Sequence, residues 1–131
     1  MKRIIPNLAV DNCKAALDYY KEVFGGEIKN VQLADGKEMF KGYEGKIIHS
    51  ELHINADCVL YLNDLFDEKE ENSNISLMLE LGGMEEINNL YSSLAKKGTV
   101  VFELQKTFWG SYHAVVTDCL GTTWSLDYSG K

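Results

Sequence analysis

Proline is nearly missing from this chain: Pro6 is the single one in 131 residues. It falls near the start of an apolar run, where a strand tolerates the missing N–H. Cysteine is scarce, odd in number and scattered at Cys13, Cys58 and Cys119. No CxxC pair and no disulfide framework can be drawn, which fits a reducing compartment. Positive charge is also short, with 13 Lys plus Arg against 20 Asp plus Glu and a net charge of −7. No Lys/Arg cluster stands out, so binding to nucleic acid or an anionic membrane through bulk charge is disfavoured. No window reaches the apolar length of a membrane span, and the first residues lack the apolar core of a signal peptide. The expectation is a cytoplasmic protein. Dinucleotide-binding, P-loop and nucleophile-elbow patterns are all lacking.

What is present is ordinary for a globular chain: 45% hydrophobic and 25% charged residues, in a length that suits one domain. Ile4 to Val10 reads as a strand. Asp11 or Asn12 can cap a helix reaching Phe24, with Ala15, Ala16, Tyr19, Tyr20, Val23 and Phe24 at helical spacing. Gly25-Gly26 stops it. Strands follow at Glu27 to Leu33, Lys46 to Ile54 and Cys58 to Asn63, while Met39 to Gly45 is ambiguous. The acidic run Asp64 to Glu71 reads as a solvated loop. Then the order repeats. A strand spans Ile75 to Leu81, a helix Met84 to Lys97 and a strand Thr99 to Leu104. Tyr112 to Thr117 and Thr122 to Tyr128 flank the turn Asp118 to Gly121, which has Asp first and Gly fourth. Each half therefore reads strand, helix, three strands. The repeat is one of element order, not of residue identity.

Several segments carry a resemblance in their order and spacing. They are Pro6-Asn7-Leu8-Ala9-Val10-Asp11-Asn12, the helix Ala16 to Gly25, His49-Ser50-Glu51-Leu52-His53-Ile54 and Val59 to Asn63. Phe108-Trp109-Gly110 and Asp118-x-x-Gly121-x-x-Trp124 complete the set. Together they resemble the vicinal oxygen chelate superfamily of glyoxalases, bleomycin-resistance proteins and extradiol dioxygenases, and within it the PhnB-like branch. The resemblance implies an α+β fold. Two βαβββ modules, about 1–63 and 74–131 of a single domain spanning 1–131, would form a cupped mixed sheet with helices on its outer face. It also implies a homodimer.

Catalytic members hold a divalent metal on the first and last strands of each module. Carried over, those positions fall at Ile4 or Ile5, Tyr61, Asn74 and Ser125. Such a metal wants imidazole, carboxylate or thiolate, so this set predicts no metal and no cofactor.

His49, Glu51 and His53 alternate along a predicted strand and so share one face, opposite Ile48, Leu52 and Ile54. Their spacing, about 7 Å between alternate residues, hardly lets one metal reach all three. A His–Glu pair for proton transfer is one reading, with a water-bridged contact expected from the i, i+2 separation. A polar strand face lining a wet cavity or solvent is the other. Trp109 reads equally as a ring at the rim of the cup or as a core plug, and Trp124 reads as core. Cys13 opens a helix whose dipole would favour a thiolate, though a cysteine is commonly a small buried residue.

The sequence thus leads to a protein that binds a small organic molecule in a cup. Asn7, His49, Glu51, Tyr61, Asn74, Trp109, Tyr112 and Ser125 are the expected ligand-binding residues. The alternative is a glyoxalase-like lyase or isomerase using His49, Glu51 or His53, with or without a divalent metal. A third possibility is a cup filled by its own side chains, in a protein that acts through a partner.

Overall fold

The computed structural model describes residues 1–66 and 74–130. Most of the acidic run expected as a loop, residues 67–71, lies outside them. The chain divides into two compact units, Met1–Glu70 and Glu71–Lys131.

The first unit runs β1 (Asn7–Val10), α1 (Cys13–Phe24), β2 (Glu27–Leu33), a 3-10 turn (Glu38–Phe40), β3 (Ile47–His53) and β4 (Val59–Asp64). Its sheet has the order β1-β4-β3-β2. β1 is parallel to β4, and the other pairs are antiparallel. The second unit repeats this with β5 (Leu77–Glu80), α2 (Met84–Lys97), β6 (Thr99–Lys106), β7 (Tyr112–Thr117) and β8 (Thr123–Tyr128), in the order β5-β8-β7-β6. This is the expected α+β pair of βαβββ modules.

Local chemistry explains the helix ends. The Asn12 side chain accepts from the Ala15 N–H at 3.1 Å, so Asn12, not Asp11, caps α1. Asp64 does more than the sequence reading allowed it. It ends β4 and accepts from the Cys13 N–H at 2.8 Å and the Ile47 N–H at 2.7 Å, tying the start of α1 to the start of β3. It is thus a structural residue and not part of a solvated loop.

Each helix packs on one face of its own sheet. In the first unit Ala16, Leu17 and Tyr20 meet Leu52, Leu60 and Leu62, all buried. Ser50 is fully buried among them, its hydroxyl donating to the Leu62 carbonyl at 2.7 Å. Cys13 lies against it, Sγ to Oγ 3.4 Å. Burial pushes that thiol up, which makes Cys13 a core residue and not a nucleophile. In the second unit Ile87 and Leu94 meet Ala114, Val116, Trp124 and Leu126. Trp124 is core, as its alternation implied.

The helices return to their sheets at two glycines. A Cβ on Gly26 would lie 2.3 Å from the His53 carbonyl oxygen, and one on Gly98 would lie 2.4 Å from that of Thr117. Both units thus bring the chain leaving the helix against the backbone at the end of the third strand.

Candidate functional site

The helix-free face of the first sheet is polar. Strand alternation places His49, Glu51 and His53 there, and cross-strand register adds Tyr61 beside Glu51 and Asn7 beside Tyr61. β2 contributes Glu27 beside His53, Lys29 beside Glu51 and Gln32 beside His49.

Glu51 is the centre of this face. One carboxylate oxygen accepts from His49 Nε2 at 2.6 Å and the other from His53 Nε2 at 2.7 Å. The expected water bridge is therefore replaced by two direct bonds. Alternate Cβ atoms stand far apart, but long side chains lean along the strand and close the gap. The three side chains are 29%, 11% and 29% exposed for His49, Glu51 and His53. The His49 ring meets Tyr61 edge-on, with centroids 4.8 Å apart. Asn7 Nδ2 donates to Asn63 Oδ1 at 2.8 Å, extending the polar row to the far strand.

The bond from His49 comes first and that from His53 second in holding the Glu51 carboxyl at about 2, against an ordinary 4.5. Burial opposes them, and Asn30 adds a further hydrogen bond. A carboxyl with a lowered folded value contributes stability above its unfolded value and loses it as pH falls through the folded one. Glu51 should therefore stabilise the first unit fully above about 4.5 and cease to do so by about 2. Acid melts followed by circular dichroism across that window should fall more steeply for the native chain than for Glu51→Gln.

The second sheet's helix-free face carries His113, Val115, Ser125 and Asp127. His113 Nδ1 is 3.5 Å from Asp127 Oδ1, an ion-pair distance, and makes no hydrogen bond among the described residues. Trp109 is exposed and meets the His113 ring at 6.0 Å, so it is not the core plug. Tyr112 departs from the expected ligand set. It shares its strand face with Ala114 and Val116, the helix-facing side, and stacks on Tyr128 at 6.4 Å.

The positions carried over for a metal also move. Ile4, Ile5 and Asn74 precede their strands, and Ile4 and Asn74 are exposed. Both strands start later than their apolar runs, so Asn7 is the β1 residue beside Tyr61 and Met78 the β5 residue beside Ser125. Asn, Tyr, Met and Ser supply no imidazole, carboxylate or thiolate, and the superfamily's metal does not fit either pair. Among the described residues no group of three His, Cys, Asp or Glu could hold a metal ion. At the Glu51 cluster, both Nε2 atoms are already spent on the carboxylate.

Sequence reasoning missed Asn30, which stands at a register shift of β2 next to Lys29, the partner of Glu51, and helps to lower the Glu51 carboxyl. An asparagine inside an otherwise strand-like run was the available signal.

Comparisons with known proteins agree with this architecture. The chain is 30% identical over 132 residues to an uncharacterized protein of Mycobacterium bovis, covering 92% of this chain and 79% of that one. A Mycobacterium tuberculosis relative, also uncharacterized, matches at 30% over 92% of this chain and 71% of its own. Among solved structures, protein PA1353 of Pseudomonas aeruginosa superposes with a TM-score of 0.84 at 24% identity, covering 98% of each chain. The PhnB protein of Bacillus cereus does so with 0.79 at 21%, covering 97% of this chain and 99% of that one. At these identities the two structures share the fold with this chain. The pattern of the Glyoxalase/Bleomycin resistance protein/Dioxygenase superfamily matches residues 4–126, and the chain belongs to that superfamily.

Proposed function

We propose that this protein is a PhnB-like binder of a small polar organic molecule. Its ligand lies on the helix-free face of the first sheet and is held by hydrogen bonds, without the superfamily's transition metal. The observation that carries this is the unbroken His49–Glu51–His53 chain on the helix-free polar face of the first sheet. Two imidazoles share an ionised carboxylate and keep their remaining edges for a ligand. The Tyr61 ring offers a flat apolar contact beside them. The protein is proposed to work in the cytoplasm as a homodimer, and Asn74, Trp109 and Ser125 are proposed as ligand-binding residues of the second unit.

A second reading is favoured by the direct carboxylate–imidazole bonds. In a glyoxalase-like lyase or isomerase, Glu51 would orient His49 or His53 to take a proton from a carbon acid. Both readings make Glu51 central. Glu51→Gln keeps the shape and removes the charge. Because the bonds are direct, stability should fall by about 1–2 kcal/mol, the difference between charged and neutral hydrogen bonds. A library of polar fragments, screened by backbone amide shifts, should give binders that perturb His49, Tyr61 and Asn7. Glu51→Gln should weaken them about tenfold or more, as loss of one charge-assisted bond implies. Fragments that bind elsewhere, or bind the variant equally well, would refute the site.

A further inference from the structure

Asn7 and Asn63 form an amide pair on the helix-free face of the first sheet. Asn63 follows Tyr61 by two residues in β4, so both side chains leave the same face. Asn7 stands beside Tyr61 in β1, an edge strand of this sheet, and is exposed. Asn7 Nδ2 donates to Asn63 Oδ1 at 2.8 Å, and Asn63 Nδ2 donates to the Asp64 carbonyl at 2.9 Å.

The second bond fixes which way both amides point. A backbone carbonyl only accepts, so the Asn63 edge that faces it must be the NH₂. Turning Asn63 over would set oxygen against oxygen. Its Oδ1 is therefore turned to Asn7, and an amide oxygen likewise only accepts. Asn7 must answer with its own NH₂, which leaves Asn7 Oδ1 as the outer atom. That oxygen has no hydrogen-bond partner among the described residues. None of these groups titrates, so the polarity of the pair is the same whatever the charge of the neighbouring histidines. Asn7 and Glu51 flank Tyr61 in one cross-strand row. Neighbouring strands lie about 4.8 Å apart, so the two stand about 10 Å from each other across the Tyr61 position.

We propose that Asn63 is a positioning residue that holds the Asn7 amide with its oxygen outward, and that Asn7 Oδ1 selects a ligand with an O–H or N–H donor at the end lying over β1. That end is an alcohol or a primary amide in preference to an ether or a tertiary amide. A ligand that also reaches Glu51 crosses the Tyr61 ring with an apolar middle. This rests on the reading of the first sheet's open face as the ligand site. Asn63 acts on the ligand through Asn7.

Benzyl alcohol and benzyl methyl ether, titrated into the full chain and followed by backbone and side-chain amide resonances, test it. Both are uncharged and carry the same ring, and only the alcohol donates. The alcohol should bind at Asn7 and Tyr61 about fivefold tighter than the ether, the worth of one hydrogen bond. Asn63→Leu keeps the size and removes both bonds, so the Asn7 amide can present either edge. The ratio should then fall to about twofold or less. Asn7→Ala deletes the selecting oxygen at an exposed position and should abolish the alcohol's advantage in the same way. The native Asn7 Nδ2 protons should exchange with solvent more slowly than those of the exposed Asn88, and that difference should vanish in Asn63→Leu. Equal binding of the two probes at Asn7 and Tyr61 of the native chain would refute the donor preference and leave the open-face reading standing. An unchanged ratio in Asn63→Leu, or fast exchange of the native Asn7 amide, would refute the role of Asn63. If neither probe moves these resonances, the open-face reading fails and the donor preference with it, while slow Asn7 exchange would still uphold the amide clamp.

Discussion

Replacing Asp118 by Ala is expected to destabilise the second unit by about 3 kcal/mol. Asp118 is 4% exposed. Its Oδ1 accepts from the Leu120 and Thr122 N–H groups at 2.9 and 3.0 Å, and its Oδ2 from Trp124 Nε1 at 2.8 Å. Truncation removes acceptors for three donors, one of them on a Trp that is 1% exposed. A buried donor deprived of its partner costs its desolvation, not merely the net worth of a hydrogen bond. Asp118→Asn should recover part of the loss, because its amide oxygen still serves the turn while its NH₂ opposes the indole N–H. Urea denaturation followed by Trp fluorescence reads both. An Ala variant within about 0.5 kcal/mol of the native chain, the range of a surface substitution, would contradict this account of the turn. The Asp118-x-x-Gly121-x-x-Trp124 pattern that helps to identify the family is thus a structural clasp.

The second large effect is expected at Gly26. Its φ is 96°, and a Cβ there would meet the His53 carbonyl oxygen at 2.3 Å and Ile54 Cα at 2.7 Å. Those contacts are backbone, so no side-chain rotation relieves them. Gly26→Ala should cost about 2–4 kcal/mol, combining a positive φ on a residue with Cβ and a clash that moves β3. The displaced segment carries His53, so the His53–Glu51 bond should weaken as well. Gly25→Ala is the control. Its φ is also positive, but its Cβ would meet nothing within 4 Å. Thermal melts should rank native, Gly25→Ala and Gly26→Ala in falling order. Equal losses at the two positions would show that backbone strain, and not the close approach to β3, sets the cost.

The sequence made most elements legible because periodicity and punctuation agreed. The bounds of α2, β2 and β7 match those read from the sequence, with Gly98 after α2 and Gly25 after α1. The β1 and β5 starts did not match. Apolar runs from Ile4 and Ile75 continue upstream of the residues that find a strand partner, and pairing, not hydropathy, decides where a strand begins. That slip moved the first-strand positions from Ile4 or Ile5 and Asn74 to Asn7 and Met78. The alternation of β3 was legible, and with it the shared face of His49, Glu51 and His53. Their direct bonding was not, because it depends on the rotamers that lean these long side chains along the strand. Tyr112 was drawn into the ligand set by its aromatic character. Strand parity fixes the opposite face, and parity follows from its pairing with Tyr128. Asp64 looked like the first residue of an acidic loop, and only the third dimension brings it to the N–H groups of Cys13 and Ile47.

The central claim is that the open face of the first sheet works through a shared carboxylate and two imidazoles, without the superfamily's metal. Elemental analysis of the full chain, purified without chelator and then dialysed, tests it most directly. The account predicts Ni, Zn, Fe and Mn each far below one per chain, with the histidine-ring spectrum unchanged when those ions are added at stoichiometric amounts. A transition metal near one per chain that survives dialysis, or that moves the His49 and His53 resonances, would contradict it.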